Sequence, residues 1–149
     1  MPFRFTVMLK RRGLRLLSEE KIALSKIRLD NAKERIAFAD EILAIGDYKT
    51  VANRSYYAVF SAMRAVLALD GIDSKKHSGI IAEFQRLYIK TSIFDKELSV
   101  IIKKLFQARA NSDYDDFCVI SKEDTITQFH DAEKFVAIIE KYLTEIYTK

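Results

Sequence analysis

Residues 48–69 read YKTVANRSYYAVFSAMRAVLAL, and this stretch decides the fold. At about 100° per residue, three stripes run along one helix. Ala52, Tyr56, Val59, Met63 and Leu67 form the first. Ala58, Ala62 and Ala65 form a second, small enough for a neighbouring helix to come close. Asn53, Tyr57, Phe60 and Arg64 form the third. A helix that is apolar around most of its circumference belongs at the centre of a helical domain. Polar residues on its remaining face then need a partner, a cavity or an interface.

Outward from this segment the helical spacing continues on both sides. Before it, Leu29, Ala32, Ile36, Ala39 and Leu43 step by three and four, predicting a helix over 18–45 that Gly46 ends as a C′ residue. After it, Asp70-Gly71 stops the central helix. A third helix is expected over 77–90, carried by Ile80, Ile81, Phe84, Leu87 and Tyr88. A fourth is expected over 95–110, carried by Leu98, Ile101, Ile102, Leu105 and Ala108. Ser121 is an N-cap candidate for a fifth, with Glu123 and Asp124 in its first turn and Phe129, Ala132, Val136, Ile139, Leu143 and Ile146 as its stripe. No segment alternates with strand period, and the connections are short. The expectation is an all-α, up-and-down bundle of about five helices in one domain over 18–149.

Composition agrees. One proline and four glycines in 149 residues argue against collagen-like, disordered and turn-rich β classes. A single cysteine, Cys118, excludes an internal disulfide framework and a cysteine-based zinc site, and makes the cytosol the expected compartment. Residues 1–17 hold five basic residues and no acid, whereas residues 18–149 balance to about −1. The pI near 9.1 therefore comes from the N-terminal stretch. That stretch contains no apolar run long enough for a signal or membrane segment. It reads as a disordered basic arm, as an anionic-surface or transit segment, or as residues ahead of a start at Met8.

Several polar residues fall where they could do chemistry. Arg109 lies four residues after Leu105 and so continues a buried stripe, and Asp113 is one turn further on. The pair either closes the helix end internally or orients Arg109 toward phosphate or an RNA backbone. Tyr114 follows directly. Asn53 and Arg54 open the central helix, either as helix-end polarity or on the same polar surface as Arg109. His77, after Lys75-Lys76, is either a capping or surface histidine or a base or phosphate contact at a helix start. His130, beside Phe129, reads as structural. Two histidines 53 residues apart make a poor metal site, and Asp113, Asp115 and Asp116 lack calcium-loop spacing. There is no glycine-rich phosphate loop and no GxSxG.

Three stretches together carry a resemblance: Asn53-Arg54-Ser55-Tyr56-Tyr57-Ala58-Val59-Phe60, Lys75-Lys76-His77-Ser78-Gly79, and Ala108-Arg109-Ala110-Asn111-Ser112-Asp113-Tyr114. They resemble the HEPN domains (higher eukaryotes and prokaryotes nucleotide-binding), in particular a small stand-alone prokaryotic subgroup, over roughly residues 20–147. The resemblance implies a five-helix homodimer. It also implies a toxin or defence role beside a small nucleotidyltransferase and, in active members, metal-independent RNA cleavage by an Arg followed four to six residues later by a His. Here the Arg carries over as Arg109, but the next histidine is His130, 21 residues on. The expected function is thus a nucleotide-, phosphate- or partner-binding module of a toxin–antitoxin or defence type. The first alternative is an endoribonuclease with a degenerate motif, using Arg109 and His77. The second is a non-catalytic dimeric scaffold. The expected nucleotide- or RNA-binding set is Asn53, Arg54, Tyr57, Arg64, Lys76, Arg109, Asp113 and Tyr114. No cofactor, no metal and no membrane association are expected.

Overall fold

The computed structural model describes residues 18–114 and 119–149. The expectation for residues 1–17, and Cys118, Asp115 and Asp116, lie outside these. The order is α1 (Glu19–Ile45), α2 (Tyr48–Ala68), α3 (His77–Phe84), α4 (Glu97–Tyr114) and α5 (Lys122–Tyr147), with no strand among the described residues.

Local chemistry starts and stops these helices. Ser18, Asp47 and Ser121 each place a side-chain oxygen on a backbone N–H three residues on, at Lys21, Thr50 and Asp124. Each thereby satisfies an otherwise orphaned helix donor. Gly46, at φ +88°, ends α1 by turning its N–H back to the carbonyls of Ile42 and Leu43. An L side chain would be strained there.

As its sequence predicts, α2 is the central helix. Thirteen of its 21 residues are buried, against four of 27 in α1. Ala58, Ala62 and Ala65 are fully buried, so the small-residue stripe is where a neighbour packs. The helices α1, α3, α4 and α5 all contact α2. Polar links fix the directions. Ser25 Oγ donates to the Ala65 carbonyl at 2.7 Å and lies 2.6 Å from the Tyr147 hydroxyl. Lys33 pairs with Glu140 at 2.6 Å. Hence α1 runs antiparallel to both α2 and α5.

Two features differ from the sequence reading. The third helix does not run regularly to residue 90: from Gln85 to Ile89 it widens into a π turn. There Tyr88, fully buried, donates to Asp70 Oδ2 at 2.7 Å. The fourth helix runs to Tyr114 rather than stopping near Ala110, which keeps Asp113 one turn above Arg109.

Candidate functional site

The polar face of α2 is where three helices converge. Asn53, Tyr57, Phe60 and Arg64 repeat at three- and four-residue steps and share one face. The first residue of α3, His77, lies on that face. Its ring stacks on Phe60 with centroids 4.2 Å apart and meets the edge of Tyr57 at 5.8 Å. Its Nδ1 is 2.8 Å from the hydroxyl of Tyr56. From α4, Phe106 meets Tyr56 edge-on at 6.1 Å. The Arg109 guanidinium lies 5.3 Å from the Tyr56 ring centre and 5.5 Å from that of Tyr57.

Local sequence explains why His77 arrives there. Ser74 Oγ accepts the Lys76 N–H at 3.2 Å, turning the chain into α3. Gly79 lets this happen, because a Cβ on it would sit 2.5 Å from Ser74 Oγ. Lys76, not His77, holds the cap position, and it is exposed. His77 is therefore neither a cap nor a surface residue. It is half-buried within an aromatic cluster.

Two guanidinium groups give the cluster its charge. Arg109 Nε is 2.9 Å from Asp113 Oδ2, with both side chains partly exposed. This is an ion pair by distance, but the N–H is not aligned for a hydrogen bond. Arg64 lies 6.0 Å from the Phe60 ring centre and 3.2 Å from Asp73 Oδ2. The same oxygen pairs with Arg28 of α1 at 3.2 Å, and Arg28 also donates to the Arg64 carbonyl.

The electrostatics follow from burial and these cations. Burial, then the charges of Arg109 and Arg64, hold the His77 pKa below its ordinary value, so the imidazole is neutral at pH 7. Burial pushes the Tyr56 phenol up to about 12, opposed by Arg109, so Tyr56 stays protonated.

Of the residues singled out in the sequence, His77, Tyr57, Arg64, Arg109 and Asp113 come together here, with Asn53 half-buried on the same α2 stripe. Arg54 does not share that stripe. It is exposed on the α1 side of α2, with its guanidinium 5.4 Å from the Phe38 ring centre. Tyr114 ends α4, and the expectation for its side chain lies outside the described residues. His130 is an exposed residue of α5, 3.4 Å from Glu133 Oε1. Tyr56 belongs to the core stripe and to the Asn53–Phe60 stretch but not to the expected binding set, yet its hydroxyl holds the histidine. A tyrosine inside an apolar stripe is itself a signal, since its O–H must find a partner when buried.

A family model described as "HEPN domain" matches residues 25–142. A UPF0332 protein of Thermotoga maritima is 29% identical over 137 residues, covering 92% of this chain and 89% of its own. A Methanocaldococcus jannaschii protein named "Putative toxin" is 30% identical over 115 residues, covering 77% and 78%. An Archaeoglobus fulgidus UPF0332 protein is 31% identical over 111 residues, covering 74% and 88%. Among the described residues no helix is long and apolar enough to cross a membrane. With a family match over most of its length, relatives of similar size and a five-helix bundle around α2, this chain belongs to the HEPN domain family.

Proposed function

We propose that this chain is a toxin-type HEPN module that binds the phosphate of a nucleotide or of RNA at the His77–Arg109 cluster. It works as a homodimer, with a small nucleotidyltransferase as protein partner. The observation that carries the reading is the setting of Arg109. Its guanidinium lies against Tyr56 and Tyr57 and is steered by one carboxylate at Nε. One carboxylate leaves donors of the five-donor fork for phosphate oxygens. Arg64 adds a second positive charge on the same face, and the half-buried Tyr57 offers an aromatic surface beside it.

A second reading is metal-independent RNA cleavage, and one observation favours it. The histidine missing after Arg109 in sequence has a spatial substitute, because His77 shares Tyr56 and Tyr57 with Arg109. A neutral imidazole can take the proton of a 2′-hydroxyl, while Arg109 offsets the charge that builds on the phosphorus oxygens.

Fluorescence-anisotropy titrations with labelled single-stranded RNA and with a labelled nucleotide test the first reading. Wild type binds, and Arg109→Ala weakens binding at least tenfold. Gel analysis of the same RNA in EDTA tests the second: cleavage persists with wild type and is lost in His77→Gln. Absence of both binding and cleavage with wild type leaves only the scaffold.

A further inference from the structure

A second feature lies away from the His77–Arg109 cluster. Where the π turn meets the last turns of α5, an apolar groove of about 720 Å³ opens on the surface. Ile89, Ile93 and Phe94 line it from one side, and Ile138, Tyr142 and Ile146 of α5 line it from the other. Its rim carries charges of both signs. The first wall is built by irregular backbone: the π turn over Gln85–Ile89, then Ser92 at φ +61°, an uncommon conformation for a residue other than glycine.

What reaches this groove follows from where the chain enters the bundle. Ser18 caps α1, and α1 begins beside the end of α5, where Ser25 meets Tyr147 at 2.6 Å. Residues 1–17 therefore join the body next to the helix that forms half of the groove. Within them, residues 3–9 read FRFTVML. Phe3, Phe5, Val7 and Leu9 alternate with Arg4, Thr6 and Met8, so in extended form the segment has one wholly apolar face. Such a face left in water would itself be unfavourable. Residues 10–17 can extend up to about 27 Å, and the step from Tyr147 back to Tyr142 along α5 is only about 8 Å.

We propose that the Phe3–Leu9 segment lays its apolar face into this groove of its own chain. Lys10, Arg11, Arg12 and Arg15 form the solvated tether back to Ser18. The basic charge is then anchored at both ends beside α1 and α5. This inference is independent of the anion reading at His77 and Arg109.

Hydrogen exchange read by mass spectrometry on the full chain tests it. Two variants serve: Phe3→Ser with Phe5→Ser on the segment, and Ile93→Glu in the groove. In wild type the amides of residues 3–9 exchange at least tenfold more slowly than in either variant, while α2 stays equally protected in all three. The segment variant binds the dye 8-anilinonaphthalene-1-sulfonate several-fold more than wild type, because its groove is uncovered. Unprotected amides over residues 3–9 in wild type, or equal dye binding, overturn the proposal. Protection that grows with protein concentration also overturns it, by assigning the groove to the segment of a second copy. If Ile93→Glu disturbs the fold, the segment variant decides alone.

Discussion

The hydroxyl of Tyr56, a residue of the α2 core, stands 2.8 Å from Nδ1 of His77, the first residue of α3. One side chain thus belongs to two systems. Its ring fills the bundle and carries Arg109 on its face, while its oxygen fixes the imidazole. Core packing and the polar cluster are therefore coupled through a single residue.

Tyr56→Phe separates the two roles. The ring stays and the hydroxyl goes, which leaves His77 Nδ1 without that partner, so the expected cost is about 1–2 kcal/mol. Tyr56→Ala also empties the core position and should cost about 3–5 kcal/mol. Denaturant melts of both variants measure the difference. Wild-type stability in Tyr56→Phe would mean that the hydroxyl contributes nothing.

The depressed pKa of His77 makes a pH prediction. The unfolded chain takes up the proton near the ordinary value of about 6.5, while the folded chain resists it to lower pH. The unfolded state then binds more protons in that window, so stability is complete above about pH 6.5 and declines as pH falls toward the folded value. Thermal melts from pH 7.5 to pH 5 should show this decline. His77→Gln should flatten the part of it that lies below pH 6.5.

The Arg109–Asp113 pair is half-exposed, so it is not the buried pair whose rupture costs several kcal/mol. Asp113→Ala should change stability by no more than about 1 kcal/mol. Arg109→Ala, which also loses contact with two tyrosine rings, should cost about 1–2 kcal/mol. Losses of 3–5 kcal/mol from both substitutions, with no anion bound by wild type, would instead make the pair structural.

Light scattering after size exclusion should give twice 17.2 kDa. The α2 face whose polar residues need a partner, a cavity or an interface is largely covered within the chain, because His77 stacks on Phe60 and leaves it 8% exposed. Among the described residues the outward large apolar side chains are instead Leu24, Ile27, Phe38 and Ile45 of α1, Val100 and Phe106 of α4, and Val119. A monomer at tens of micromolar would count against the homodimer.

Replacing Lys10, Arg11, Arg12 and Arg15 together with Gln should weaken binding to single-stranded RNA of any sequence and flatten its salt dependence, since each phosphate contact adds a salt-dependent increment. An unchanged salt slope would exclude this stretch from polyanion contact.

The sequence by itself determined the bundle. Apolar spacing, the Ser121 cap, the stop at Gly46 and the alanine stripe of α2 are local or periodic properties, and each acts within a few residues of where it is written. It also determined the Arg109–Asp113 pair, which lies one helical turn apart. Only the tertiary structure decided the rest of the cluster. His77 is 21 residues from Tyr56 and 32 from Arg109, and nothing local requires that they meet. Their meeting depends on how α3 and α4 pack against α2 and on Ser74 lying over Gly79. The π turn was equally invisible, because five residues of widened helix carry the same apolar spacing as regular helix. Arg54 shows the converse: it adjoins Asn53 in sequence, yet one residue is about 100° of rotation. That rotation sends its side chain to Phe38 on α1 rather than to the polar face.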